Sequence, residues 1–383
     1  MRRALAVVAL LVAALAATAA GSPAVGSAAG PPGSAADQRL ISRWSIGYYA
    51  GYESGDYPVD AIDWSGLTDV AASFYLVHPD GTLDGTLYQG TLAEGNALAA
   101  DLVSAAHANG GRALASIGGA GSGDAFHAAM TDHPATLVQS IVALSALGYD
   151  GIDLDWEPLA PEDQVVLAQL ATSIRAQWPT AVLSVPVEPI NANFPPDLSH
   201  MDDVAAVVTH IDVMAYGMAY TYSGWRSWHS SALEGESTHT PTSVASSVQA
   251  YLDAGVPAAQ LGVGIGAYGL CYSSPVTGPR QKLGGSRIIK DDYHLQYRQI
   301  RKVYQPAMRS HYDSTAEVPY LSGSKKRCTY ITYENPKSIA AKLAWAAQNG
   351  LGGAVMWTIN QQYLPGAGQP NPLIAKVGTD WLH

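Results

Sequence analysis

Residues 148–158 read Gly-Tyr-Asp-Gly-Ile-Asp-Leu-Asp-Trp-Glu-Pro. Polar and apolar residues alternate strictly from Ile152 to Glu157, which is the period of a β-strand. Side chains two apart on a strand share a face. Asp153, Asp155 and Glu157 therefore point one way, and Ile152, Leu154 and Trp156 point the other. Asp150 has the opposite parity and sits at the strand's start. Three carboxyls on one buried face repel one another and cannot all ionise. They must share protons, and their pKa values spread apart. Such a row is a poor core and a good acid–base device. The alternative, a solvated acidic edge strand, leaves Ile152, Leu154 and Trp156 without the packed layer they need. It also gives no reason for the tight entry that Gly148 and Gly151 mark.

Strand-like runs at 45–49, 69–76, 112–117, 151–157, 181–186, 210–216, 262–267 and 353–358 alternate with helix-like runs. The helical runs are 93–108, 124–147, 161–177, 243–254 and 336–349. Repeated βα units predict a parallel sheet, and eight of them predict an α/β fold of the (β/α)8 TIM barrel type. In that fold functional residues lie at the C-terminal ends of the strands, where Glu157 closes its own. A doubly wound open sheet is the competing topology, but no Gly-rich phosphate turn follows the first strand.

The spacing Asp-x-x-Asp-x-Asp-x-Glu at residues 150–157 is similar to the hallmark of glycoside hydrolase family 18, the chitinase family. Three further stretches resemble the same family in the same order. They are Ser116-Ile117-Gly118-Gly119, Met214-Ala215-Tyr216, and Trp357 at the end of the last strand. The resemblance covers roughly residues 44–361. It implies retaining, substrate-assisted hydrolysis of β-1,4-linked N-acetylglucosamine. Glu157 would then be the general acid, and Asp155 would orient the substrate acetamide. Asp153 would share a proton with Asp155, and Tyr216 would bind the acetamide oxygen. Tyr48, Phe74, Gly118, Met214 and Trp357 match positions around the sugar site, and Asp150 is structural. Two departures are visible. Ala120 stands where many chitinases carry a Trp, and Gly217 stands where an Asp or Asn follows the Tyr. Trp225 and Trp228 lie in a polar loop, 220–231, and are expected to be exposed sugar platforms. The alternatives from this resemblance are an endo-β-N-acetylglucosaminidase acting on N-glycans or peptidoglycan, and a chitin-binding lectin without turnover. The presence of Glu157 argues against the lectin.

The N-terminus reads as a secretory leader over 1–19, with Arg2 and Arg3 before an apolar run at 4–16 that is too short to span a bilayer. A Gly/Ala/Pro/Ser spacer follows over 20–37, then one catalytic domain over 38–383. A segment at 270–335, between strands seven and eight, is too long for a plain connection and resembles the family's small α+β insertion in abbreviated form. Cys271 and Cys328, the two cysteines, lie at its edges. In an exported chain they are expected to pair. The formal net charge is −11, which argues against nucleic acid or anionic membranes as partners. No cofactor or metal is expected. The expected partner is a carbohydrate polymer or oligomer, met by a monomeric, extracellular enzyme.

Overall fold

The computed structural model describes residues 43–383. The leader and spacer expected at 1–37 lie outside the described residues. Among those described, eight parallel strands carry the architecture. They are β1 (Trp44–Ala50), β2 (Asp69–Val77), β3 (Arg112–Ala120), β4 (Gly151–Glu157), β5 (Val182–Val187), β6 (His210–Val213), β7 (Leu261–Gly266) and β8 (Gly353–Trp357). Each pairs with its sequence neighbour, and β1 pairs with both β2 and β8. The sheet therefore closes on itself as the expected (β/α)8 barrel.

The period-two pattern sorts side chains between two layers. Ile152, Leu154 and Trp156 face outward into the main core, with Leu167, Leu170 and Ile174 of the helix Gln164–Gln177. Trp156 stacks on Phe126 with ring centroids 4.8 Å apart. Inside the barrel, Trp44, Ile46, Ala71, Leu114, Val182 and Val355 form an apolar cluster, with Tyr48 in the same cluster. Asp153 and Asp212 meet the Tyr48 hydroxyl from β4 and β6, and Ser116 and Ser184 donate to those two carboxylates in turn. The barrel interior is thus apolar at one level and acidic toward its C-terminal mouth.

The structure corrects several expected boundaries. The helix expected over 124–147 is two helices, Gly123–Asp132 and Pro134–Ala143. Proline cannot continue a helix from the preceding turn, and His133 before it leaves helical geometry at φ −137°. Strand six ends at Val213, not Tyr216. The amide of Ala215 bonds the Val213 carbonyl at 2.7 Å, and that of Tyr216 bonds the Met214 carbonyl at 2.7 Å. These consecutive three-residue turns take the chain out of the sheet. Short helices at Met201–Val207 and Pro372–Val377 were not expected.

The segment between β7 and β8 is an antiparallel sheet of Gly269–Tyr272, Ile288–Lys290, Arg309–Asp313, Val318–Lys325 and Cys328–Tyr333. It has its own apolar cluster, including Tyr268, Leu270, Tyr272, Val318 and Tyr330. Cys271 and Cys328 are joined as expected, on its first and last strands, across a sequence separation of 57. Closing a loop of that length restricts the unfolded chain by about 4 kcal/mol. The double variant Cys271→Ser/Cys328→Ser is expected to lose about that much in chemical denaturation. An unchanged midpoint would mean that the insertion is held by its sheet and core alone.

Candidate active site

Register places the acids. Strand β4 pairs with β5 only from Gly151 to Asp153, but with β3 through Glu157 opposite Ala120. Asp155 and Glu157 therefore stand beyond the last rung on one side, at the open mouth of the barrel. Ser122 holds this end: its hydroxyl accepts from the Glu157 amide at 3.2 Å and donates to the Asp155 carbonyl at 3.2 Å.

Asp153 is the deepest and is fully buried. Ser116 Oγ donates to its Oδ2 at 2.6 Å, and the Tyr48 hydroxyl lies 3.0 Å from its Oδ1. The same hydroxyl is 3.3 Å from Asp212 Oδ2, which also accepts from Ser184 Oγ at 2.7 Å. Burial is the main cause that raises the Asp153 carboxyl to about 7. Burial and then Asp153 push Asp212 up. Burial, then Glu157, then Asp153 push Asp155 up. Burial and then Glu188 raise Glu157 to about 7. These carboxyls act as one proton-sharing set.

Asp155 and Glu157 line a cavity of about 230 Å³ with Tyr48, Phe74, Ala120, Pro186, Met214, Tyr216, Tyr268, Asp292, Tyr293 and Trp357. This volume is on the scale of one sugar ring. Trp357 is its aromatic wall, with Phe74 stacked on it at 5.4 Å and Tyr48 edge-on at 5.6 Å. The Trp357 indole N–H donates to Asp292 Oδ2 at 2.7 Å, and Gln361 Nε2 donates to Asp292 Oδ1 at 2.6 Å. The insertion thus reaches into the barrel mouth and fixes the ring. Among the described residues no cluster of His, Cys, Asp and Glu is arranged to hold a metal.

Most of the residues singled out from sequence come together here. Tyr48, Phe74, Asp155, Glu157, Met214, Tyr216 and Trp357 line the cavity, and Asp153 supports it from beneath. Asp150 is structural: its Oδ2 accepts from the Ala113 amide at 2.9 Å and contacts His107 Nε2 at 2.9 Å. Gly118 does not line the cavity. It has φ +106°, and a Cβ there would come within 2.3 Å of the Asp155 carbonyl oxygen, so its smallness lets β3 lie against β4. Trp225 lies on an open cleft beside the site. Trp228 is a correction. It is fully buried, not a sugar platform. Its indole donates to the Thr242 carbonyl at 2.8 Å, its amide meets Tyr272 Oη at 3.2 Å, and the Arg280 guanidinium lies 4.9 Å from its ring. The polar loop looked exposed throughout, but its second half, 227–231, is buried against the insertion.

Sequence reasoning missed Asp212, Glu188, Asp292, Tyr268 and Tyr293. Asp212 carried a signal, since it shares the parity of Met214 and Tyr216 against Ile211, Val213 and Ala215. Glu188 likewise shares the parity of Ser184 and Pro186. Tyr268 stands just beyond the C-terminal end of β7, where the barrel rule looks for site residues; Asp292 and Tyr293 carried no signal, because only the insertion's fold brings them in. Gly217 also gains a reason: its φ is +67°, and a Cβ would lie 3.1 Å from the Tyr268 hydroxyl. Tyr268 lies where a side chain on residue 217 would begin.

The raised carboxyls make stability fall with pH. The folded state keeps protons that the unfolded chain releases in the ordinary carboxylate range. Their stabilisation is full below the unfolded pKa values and is lost as pH rises through the folded values, about 7 for Asp153 and Glu157. The melting temperature is expected to drop between about pH 5 and about pH 8. Asp155→Asn, neutral throughout, is expected to drop less. Parallel melting curves for the two proteins would contradict a proton-sharing set.

Comparison with known proteins agrees with this geometry. Residues 45–362 match the family described as Glycosyl hydrolases family 18. Chitinase A1 of Niallia circulans is 29% identical over 255 residues, which is 57% of this chain but only 35% of that protein's own length. Chitinase 1 of Aphanocladium album is 28% identical over 357 residues, covering 84% of this chain and 80% of the relative. The crystal structure of Ostrinia furnacalis Group IV chitinase in complex with allosamidin superposes with a TM-score of 0.76. It is 22% identical and covers 88% of this chain and 98% of that one, a likeness of fold.

Proposed function

The chain belongs to family 18 of the glycosyl hydrolases, and on that premise we propose that it hydrolyses β-1,4-linked N-acetylglucosamine, in chitin or its oligomers, by a retaining, substrate-assisted route. The observation that carries this reading is the buried carboxyl row of β4, which ends at Glu157 in a one-ring cavity walled by Trp357. A group held near pH 7 is protonated often enough to act as an acid and deprotonated often enough to act as a base. Burial beside Glu188 gives Glu157 that property.

In the first step Glu157 gives its proton to the glycosidic oxygen as the bond to the anomeric carbon breaks. The acetamide oxygen of the same sugar attacks that carbon from the opposite face, forming a cyclic oxazolinium. Asp155 accepts a hydrogen bond from the acetamide N–H, and its negative charge offsets the charge developing on nitrogen. Tyr216 Oη donates to the acetamide oxygen and holds it in line. In the second step Glu157, now a carboxylate, takes a proton from water as the water oxygen opens the oxazolinium. The proton returns to Glu157, and the configuration at the anomeric carbon is kept. No protein carboxylate becomes a nucleophile, in line with this family's exception to the two-carboxylate pattern. Asp153 and Asp212, tied through Tyr48, hold the proton that Asp155 must lose as charge grows above it.

Export of the mature chain rests on Arg2, Arg3 and the apolar run at 4–16, and N-terminal sequencing of the exported protein tests it. Product analysis tests the reaction. Soluble N-acetylglucosamine oligomers are expected to be cleaved, with the β-anomer appearing first in NMR. Early α-anomer would overturn retention. Release of N-glycans without cleavage of chitin oligomers would overturn the substrate.

A further inference from the structure

Beside the catalytic mouth lies a second, open cleft of about 560 Å³. One wall is the loop after β6, with Thr221, Tyr222, Trp225 and Arg226. The other comes from the insertion, with Lys282, Gly284, Gly285 and Arg287. The walls are tied to each other. Arg226 and Lys282 form an antiparallel bridge, the Ser227 amide bonds the Gln281 carbonyl at 2.9 Å, and Arg226 Nη1 donates to the Arg280 carbonyl at 3.0 Å.

Two properties of this cleft bear on what it could hold. Its lining holds Arg226, Lys282, Arg287 and His239 and no carboxylate, in a chain with 32 acidic and 21 basic residues. Among the described residues, none of those two arginines and the lysine forms an ion pair. Its aromatic wall is also built as a unit. Tyr220 stacks on Tyr222 at 5.4 Å, and Trp225 stands edge-on to both at 5.5 Å, with Tyr222 62% exposed. The unit reaches toward the catalytic acids, since the Glu188 charge acts both on Glu157 and on the Tyr220 hydroxyl.

Flat aromatic faces suit the apolar face of a sugar ring. Unpaired guanidinium and ammonium groups beside them suit an anion, and the guanidinium fork matches a carboxylate in shape. We propose that this cleft is an accessory subsite for a sugar unit bearing a carboxylate, so that the enzyme grips acidic hexosamine chains better than neutral ones. The proposal rests on the hydrolase reading for the class of chain bound. Its own content is the charge preference.

The test compares binding by calorimetry at low ionic strength, in the Glu157→Gln background so that nothing is turned over. The probes are a neutral N-acetylglucosamine oligomer and the same oligomer partly oxidised at C6 to the carboxylate. The carboxylated oligomer is expected to bind roughly three- to tenfold more tightly, the range for two or three exposed ion pairs. Added salt should erase the difference. Lys282→Glu/Arg287→Glu, at two exposed positions, should abolish or invert the preference and leave neutral-oligomer binding unchanged. Equal binding of the two probes, or a preference that survives the double variant, overturns the proposal. Tighter binding of a C6-phosphorylated oligomer than of the carboxylated one overturns the carboxylate assignment. Cleavage of the neutral oligomer by the parent enzyme tests the hydrolase reading separately, and its failure leaves the binding comparison readable.

Discussion

Glu157→Gln is expected to lower kcat by roughly 10³–10⁴-fold while oligomer binding stays within a few-fold of the parent. The amide keeps the size of the side chain and its place beyond the last β4–β5 rung. It can neither give a proton to the leaving oxygen nor take one from water, so both steps suffer. The pH profile separates this role from a structural one. In the parent, kcat/KM should fall as pH rises through about 7, because the free enzyme must hold the Glu157 proton. In the variant that limb should vanish from the residual activity. A Glu157→Gln enzyme with parental kcat would show that the buried carboxyl row is not the catalytic device. The substitution also removes one of the mutually repelling buried acids, so the variant should melt no lower than the parent above neutral pH.

Trp228→Ala is expected to cost roughly 3–5 kcal/mol of folding stability, the range for emptying a fully buried Trp site. The ring fills the seam between the β6 loop and the insertion. Its loss leaves the Thr242 carbonyl without its donor and takes the packing surface from under Arg280. Chemical denaturation checks this. In protein that remains folded, KM for short oligomers should be close to parental, because the ring faces the insertion's core cluster and not the one-ring cavity. A variant of unchanged stability and raised KM would return Trp228 to the role of a sugar platform.

Trp225 and Trp228 mark where sequence reading stops. They stand three residues apart in one polar loop, and nothing local separates them. One lines an open cleft and the other is fully buried, because a sheet that begins some forty residues later folds over one and not the other. Burial of a loop side chain depends on what arrives from elsewhere in the chain, and local composition does not encode the arrival. The same holds for Asp292. Its contacts with Trp357 and Gln361 span 65 and 69 residues, so no periodicity could have paired them.

The β4 acids were legible because a strand has a fixed period of two. Alternation alone assigned Asp153, Asp155 and Glu157 to one face and Ile152, Leu154 and Trp156 to the other, and both faces lie as that rule requires. The same rule, applied to 210–213, would have put Asp212 on the face opposite Ile211 and Val213, inside the barrel with Tyr48. The barrel was legible for a related reason: eight βα repeats leave few ways to cover both faces of a parallel sheet. What the sequence by itself determined is therefore the order of the strands and the side each residue takes. Tertiary structure alone decided the depth of each carboxyl, and so its proton affinity, because desolvation depends on everything packed around a group. It also decided that the insertion would clamp Trp357 and raise one wall of the cationic cleft.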